Sequence, residues 1–292
     1  MPIGVVDVGS NTVRVLVAEN GHTLFSEREM LRLGADIERH GHIPDEKLEL
    51  TASVVTRMVG DAYAAGAEAI EILIASPGRQ ADNGEELRRA VADAAGAPAR
   101  ILTAVEEGHL AFVGALSVAG VPSNRTVAVV DVGGGSAQVV VGSRKTGPQW
   151  ARSIDLGSQR LTSRLLSADP PGAAAIGAAR AEVEGYLDGF TPPAPRTTLA
   201  VGGSARALKR IGGSRLDASE LEDTLSILAD TPTDVLARRY DIGEERARTL
   251  PAGAVIFTAL QGVLGTPLKV VRAGVRDGAV MMIAAERAAE AA

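Results

Sequence analysis

Apolar runs along this chain repeatedly end in short turns of Asp, Gly, Ser, Asn and Thr. Ile3 to Val6 leads into Asp7-Val8-Gly9-Ser10-Asn11-Thr12, and Val13 to Ala18 leads away. The pattern returns as Val127 to Val130, then Asp131-Val132-Gly133-Gly134-Gly135-Ser136, then Val139 to Val141. Apolar runs of this length bounded by glycine are buried strands, so each stretch predicts a hairpin with an acidic residue near its tip. One such turn is an ordinary hairpin tip; two copies predict an internal duplication. A third run, Thr198 to Val201, ends in Gly202-Gly203-Ser204 and enters a basic helix start with Arg206, Lys209 and Arg210.

Helical spacing fills the intervals. Pro44-Asp45-Glu46 opens a helix whose Val54, Val55, Met58, Val59 and Ala62 share a face, with Leu31 to Gly34 and the residues after it predicted as loop. Ala69 to Ala75 is a strand ending in Ser76-Pro77-Gly78-Arg79, and Gly84 to Ala95 a helix. Arg79 thus falls in a loop just past a strand end, where α/β proteins place ligand contacts. Thr103-Ala104-Val105-Glu106 fits a capping box, and Glu107 shares its helical face with Ala111 and Gly114, small residues that leave room for a neighbouring element or a ligand. Toward the C-terminus the pattern predicts separate helices at Glu244 to Thr249 and Pro251 to Leu264, a strand at Leu268 to Arg272, a turn over Ala273 to Gly278 and a last helix from Ala279 to Glu290. Alternating strands and helices make the fold α/β. We expect two domains, 1–120 and 121–292, divided near Val118 to Asn124, with the last helix free to pack back on the first domain.

Composition narrows the chemistry. The net charge is −6 and no cysteine is present, so there is no global basic field for nucleic acid or an anionic membrane, no disulfide and no thiolate metal site. No stretch of 18 uninterrupted apolar residues suggests a membrane span, and the first strand begins at Ile3, so a cytoplasmic protein is expected. His22, His40, His42 and His109 lack metal-ligand spacing. Within the turns, glycines let backbone N–H groups approach an anion without a Cβ in the way and supply positive φ where needed, while Asp7 and Asp131 suit a hydrated Mg²⁺ better than phosphate itself. On an acidic protein a polyanion needs local cations, for which Arg14, Arg79, Arg160, Arg206 and Arg276 are the candidates.

The motifs DVGSNTVRVLVAE, SPGRQADN, AVEEGHLAFVGA, VVDVGGGSAQVVVG, DLGSQRLT, VGGSARAL, LPAGAVI and AGVRDGAV, in this order from Ile3 to about Glu286, resemble the exopolyphosphatase and guanosine pentaphosphate phosphatase family. The resemblance implies two ribonuclease-H-like domains of the actin-like ATPase superfamily with an active site between them. It implies Glu107 as the base that activates water. Gly9, Ser10, Asn11 and Thr12, and Gly133, Gly134, Gly135 and Ser136, become phosphate-binding turns, with Asp7 and Asp131 near Mg²⁺. Arg79 becomes a substrate contact, and Gly202, Gly203 and Ser204 border the site. The family usually has Glu where this chain has Gln138, which keeps the shape without the charge. The expected activity is hydrolysis of terminal phosphoanhydrides of polyphosphate, of short chains because longer relatives carry additional C-terminal domains. Guanosine pentaphosphate as substrate, or binding without turnover, stays beside it, and the resemblance allows a homodimer.

Overall fold

The first apolar run forms β1 (Ile3–Val8), and the Asp-Val-Gly turn folds the chain back into β2 (Thr12–Glu19), which pairs antiparallel with β1 and with β3 (His22–Met30). After α1 (Leu33–His40) and α2 (Asp45–Ala64), β4 (Ala69–Ile74) joins β1 in parallel. Then α3 (Ser76–Gln80) and α4 (Gly84–Ala95) lead to β5 (Ala99–Ile101), parallel to β4, and to α5 (Ala104–Val118). The sheet order is β3-β2-β1-β4-β5.

The second half repeats this plan. It contains β6 (Val127–Val132), β7 (Ala137–Ser143), β8 (Gly147–Ile154), α6 (Ser158–Leu165), α7 (Gly172–Tyr186), β9 (Thr197–Val201), α8 (Gly202–Gly212), β10 (Arg215–Leu216), α9 (Ala218–Asp230), α10 (Thr233–Tyr240), α11 (Glu244–Leu264) and β11 (Leu268–Val270). Its sheet runs β10-β11-β9-β6-β7-β8. Read from β8, the order β8-β7-β6-β9-β11 matches β3-β2-β1-β4-β5, with the same antiparallel and parallel pairings. β1 and β6 even share one burial pattern, with only the aspartate less than fully buried. The chain ends with α12 (Val275–Glu290).

This computed structural model describes residues 1–290 and divides into two units, 1–114 with 274–290, and 115–273. In the first unit, strand parity assigns the faces. Val6, Val8, Val13, Val15 and Ile72 pack with α2 and α4, whereas Ile3, Val5, Leu16 and Leu73 pack with Leu102, Leu110 of α5, and Ala279 and Val280 of α12. Asp7 shares the parity of Ile3 and Val5, so the pleat turns it to the face covered by α5 and α12. The second unit is built around α11, whose Val255, Ile256, Phe257 and Leu260 are buried with the strands of β6, β7 and β9. α11 is long and apolar enough to cross a membrane, but 72% of its most apolar window is buried inside the protein, which marks a core helix.

Several elements differ from the pattern reading. α1 occupies part of a predicted loop; it starts from Arg32 in a left-handed conformation (φ 58°) and places Leu33 and Ile37 in the core, a tertiary contact that no turn residue announces. Arg79 lies inside α3, not in a loop. α11 runs unbroken through Pro251, because burial on nearly every side outweighs the hydrogen bond that proline removes. α12 starts at Val275, within the predicted turn, capped by Gly274 N–H donating to Asp277 Oδ2 at 2.8 Å. Its approach to α5 is very close: a Cβ at Gly278 would stand 1.9 Å from the Leu110 carbonyl oxygen, and one at Gly114 would stand 2.2 Å from that of Gly274. Of the two occupants expected beside Glu107, a neighbouring element or a ligand, it is an element, the start of α12, that fills the space at Gly114.

Candidate functional site

In the first unit the turn after β1 closes with Gly9 N–H donating to the Thr12 carbonyl at 3.1 Å. The Asn11 carbonyl accepts from Leu31 and Arg32, and the Ser10 carbonyl from Gly34, so the segment leading into α1 braces the turn from outside. Ser10 is buried, and its Oγ lies 2.6 Å from Ser76 Oγ at the start of α3. Asn11 Oδ1 is buried without a hydrogen-bond partner. Asp7 stands opposite Arg14 across the hairpin; burial holds its carboxyl above the ordinary value, a rise that the charges of Arg14 and Arg276 reduce without cancelling. The Arg276 guanidinium is held by the Val15 carbonyl at 3.2 Å.

Glu107 enters from α5. The predicted capping box is present: Thr103 N–H donates to Glu106 Oε2 at 2.8 Å, and Glu106 N–H to Thr103 Oγ1 at 3.2 Å. These bonds, chiefly, and Arg100 secondarily, hold Glu106 below the ordinary carboxylate range. The carboxylate of Glu106 is thus spent on the helix start, and that of Glu107 on Arg79, whose Nη2 donates to Glu107 Oε2 at 2.7 Å. A lowered carboxyl stabilises the fold above its unfolded value and stops doing so as pH falls through the folded one. Replacing Glu106 with Ala is therefore expected to cost about 1 kcal/mol near neutral pH, with the difference from wild type shrinking below pH about 4; urea unfolding at the two pH values measures it.

The second unit repeats the turn. Gly133 N–H donates to the Ser136 carbonyl at 3.0 Å, the counterpart of the Gly9–Thr12 bond. Ser158, Gln159 and Arg160 at the start of α6 donate backbone N–H groups to the Gly133 and Gly134 carbonyls, which ties the carbonyl side of the turn away from any anion. Neither Gly9 nor Gly133 uses positive φ; a Cβ there would press on the carbonyl oxygens of Thr12 (3.3 Å) and Ser136 (3.1 Å), so close approach, not backbone freedom, calls for glycine. Gly202 does have a positive φ of 88°, and its Cβ position lies 2.5 Å from Asp131 Oδ1, so the acidic tip of one strand rests on the Gly-Gly-Ser turn of the next. Gln138, opposite Asp131, is 2% exposed. Its Nε2 donates to Ser136 Oγ at 2.8 Å.

The structure thus gathers Asp7, Gly9, Ser10, Asn11, Thr12, Arg14, Arg79 and Glu107 in one unit and Asp131, Gly133 to Ser136, Gln138 and Gly202 to Ser204 in the other. Arg160 is engaged at 2.9 Å by Asp155. The pattern reading missed Arg246, whose Nη1 donates to Ser204 Oγ at 3.0 Å and whose guanidinium lies 2.6 Å from a Cβ position at Gly203. An arginine next to two glutamates at a helix start carries no signal in sequence. A concavity of about 310 Å³ on the first unit, lined by Glu71, Arg100, Glu106 and His109 among others, contains none of the predicted site residues. Arg100 there bridges Glu71 and Glu106.

The model of the Ppx/GppA phosphatase family matches residues 13–286. The chain belongs to this family. Exopolyphosphatase 2 of Mycobacterium tuberculosis is 29% identical over 232 residues, covering 73% of this chain and 71% of that protein. An uncharacterized protein of Streptomyces coelicolor is 31% identical over 277 residues, covering 88% of this chain and 82% of its own. The crystal structure of the Aquifex aeolicus Ppx/GppA family member superposes with a TM-score of 0.82 at 23% identity, covering 98% of both chains, a likeness of fold. The two repeated sheets are accordingly built on the fold of Ppx/GppA proteins.

Proposed function

We propose that the protein is a divalent-cation-dependent exopolyphosphatase that removes the terminal phosphate of inorganic polyphosphate as orthophosphate. Membership of the Ppx/GppA family makes it a hydrolase of phosphoanhydrides; the substrate is our reading. The observation that carries it is the repeated Asp-Val-Gly turn, closed in each copy by the same Gly N–H to carbonyl bond, since repeated turns suit the like groups of a phosphate chain; the Gly9 and Gly133 N–H groups shape the turns and are not themselves its donors. In the reaction Glu107 takes a proton from water while the water oxygen bonds to the terminal phosphorus and the bridging P–O bond breaks. The chain leaves one phosphate shorter. The turns supply N–H and hydroxyl donors to the phosphoryl oxygens, and phosphoryl transfer depends chiefly on such positioning and charge stabilisation.

The donors fit Mg²⁺ or a similar hard cation. Asp7 or Asp131, each in its own unit, would offer a carboxylate oxygen, and in the first unit Asn11 Oδ1 is a buried acceptor without a hydrogen-bond partner. Among the described residues no three His, Asp or Glu side chains cluster for a metal. An ion held by one or two carboxylates plus waters and substrate phosphates is the usual Mg²⁺ arrangement. When bound, it neutralises charge that builds up on the phosphoryl oxygens.

Orthophosphate release from tripolyphosphate, long-chain polyphosphate and guanosine pentaphosphate, each with Mg²⁺ and with EDTA, tests this reading. We expect release from the inorganic chains, lost in EDTA. Preference for guanosine pentaphosphate would reassign the substrate, and binding without release would reject hydrolysis of these substrates.

A further inference from the structure

We propose that a row of cations at the foot of the second unit's sheet, Arg144, Lys145, Arg125, Arg196, Lys269 and Arg215, is a holding site for long inorganic polyphosphate, separate from the Asp-Val-Gly turns. The proposal goes beyond the reading above and rests on it for the identity of the polyanion.

The sheet order sets the row. β6, β9 and β11 run parallel, so they enter the sheet at one end, and Asp131 lies toward the other. Arg125 precedes β6 and Arg196 precedes β9, while Arg144 and Lys145 follow β7, which runs the opposite way and leaves at that same end. Lys269 and Arg215 are partners on β11 and β10. The strands β7, β6, β9, β11 and β10 are consecutive neighbours. Neighbouring strands lie about 4.8 Å apart, so the cations follow one another over about 20 Å. Along β6, Arg125 stands about 20 Å from Asp131.

The row is exposed and its backbone is fixed. Each of these residues is exposed. Lys145 N–H donates to the Ser123 carbonyl at 2.8 Å, Arg196 N–H to the Thr126 carbonyl at 2.9 Å and Arg125 N–H to the Pro122 carbonyl at 3.1 Å. The loops after β7 and before β9 are thus both laced to the loop before β6, which keeps their cations together. Arg144 donates to the Leu116 carbonyl, and Lys269 Nζ to the Ala119 carbonyl at 3.2 Å. Those carbonyls lie at the C-terminal end of α5 and supply only partial negative charge.

The positive charge is uncompensated. Among the described residues Arg125, Lys145, Arg196 and Arg215 form no ion pair, whereas Arg57, Arg88, Arg180, Arg210 and Arg238 each hold a carboxylate. Segments 119–126, 143–146, 191–196 and 265–267 contain no Asp or Glu, on a chain whose net charge is −6. Asp217 and Glu220, just past β10, close on each other's backbone as a capping box. Arg215 and Lys269 face each other across one rung of the sheet, where like charges cost stability. An anion laid along the row relieves that repulsion. A flexible chain with a charge on every repeat and no bases fits best, because these segments carry no aromatic side chain on which bases could stack.

A polymer held at the row keeps its end at raised effective concentration near the molecule. Long chains gain from this, and tripolyphosphate, too short to follow the row, does not; the proposal thereby departs from the short-chain preference expected from the resemblance. Binding of long-chain polyphosphate is measured on Glu107→Gln protein, so that the polymer is not consumed. Adding Arg125→Gln, Lys145→Gln and Arg196→Gln should raise Kd about 10-fold or more at low salt and lower the slope of log Kd against log salt by about 2, the share of three cations in counter-ion release. With Glu107 in place, the same three substitutions should raise KM for long chains and leave kcat for tripolyphosphate unchanged. Arg89→Gln, Arg180→Gln and Arg238→Gln together remove as much charge from paired positions and should leave Kd near its starting value. An unchanged Kd in the first set, an equal loss in the second, or tighter binding of single-stranded RNA with as many phosphates would each overturn the proposal. If no phosphoanhydride is hydrolysed, the functional reading fails while the binding measurement still decides the row.

Discussion

Glu107→Gln is expected to bind tripolyphosphate as wild type does and to release orthophosphate about 10²- to 10⁴-fold more slowly, the usual cost of removing a general base. The substitution isolates chemistry from structure. Glutamine has the volume of glutamate, and its Oε1 can still accept from Arg79 Nη2, now 2.7 Å from the carboxylate. The helix start is unaffected, because the capping box is served by Glu106 and Thr103. What is lost is the ability to take a proton, since an amide is not a base near neutral pH. Isothermal titration with tripolyphosphate and a phosphate-release assay on the same preparation measure the two halves. Wild-type-like turnover in the variant would remove Glu107 from the mechanism; lost binding would make it part of substrate capture instead.

Gly278→Ala should cost about 1–3 kcal/mol or more and lower activity with it, although it adds only one methyl group. The Cβ would lie 1.9 Å from the Leu110 carbonyl oxygen and 3.1 Å from the Gly114 backbone nitrogen. The obstacle is backbone on α5, so no side-chain rotation relieves it, and α12 has to move away. That movement opens the layer in which Leu110, Ala279 and Val280 pack on β1 and β2, the layer beneath Asp7 and beside the helix that carries Glu107. Gly60→Ala is the control. Gly60 lies inside α2 with nothing within 4 Å of its Cβ position, so the same change should stabilise by about 0.8–1 kcal/mol through helix propensity alone. Urea midpoints compare the two variants. A Gly278→Ala protein as stable as wild type would contradict the close helix approach.

The hairpins were legible because their information is local. An apolar run, an acidic residue and glycines in a row specify strand, tip and strand within about sixteen positions, and the repetition of that pattern revealed the duplicated plan before any pairing was known. The capping box at Thr103 and Glu106 was legible for the same reason, since both partners lie within one helical turn. Glu107 could be separated from Glu106 by helix face, but its partner could not be read: Arg79 lies 28 positions earlier, and its pattern predicted a loop contact to ligand. Arg246 was silent because its function depends on Ser204, 42 positions away. The helix break expected at Pro251 failed because local propensity was outweighed by the burial of the helix around that residue, Thr249 to Phe257.

By itself, then, the amino-acid sequence determined the α/β class, the two Asp-Val-Gly turns, the Gly-Gly-Ser turn and the helix start that presents Glu107. Each of these follows from residue types within a few positions of one another, where sterics and local hydrogen bonds decide. Only the tertiary structure decided that α12 returns to the first unit, that Arg79 meets the base, that Arg246 joins the Ser204 turn and that Gly9 and Gly133 serve close approach instead of positive φ. Those outcomes depend on which surfaces pack together, and packing is settled by contacts between residues whose separation along the chain leaves no periodic trace.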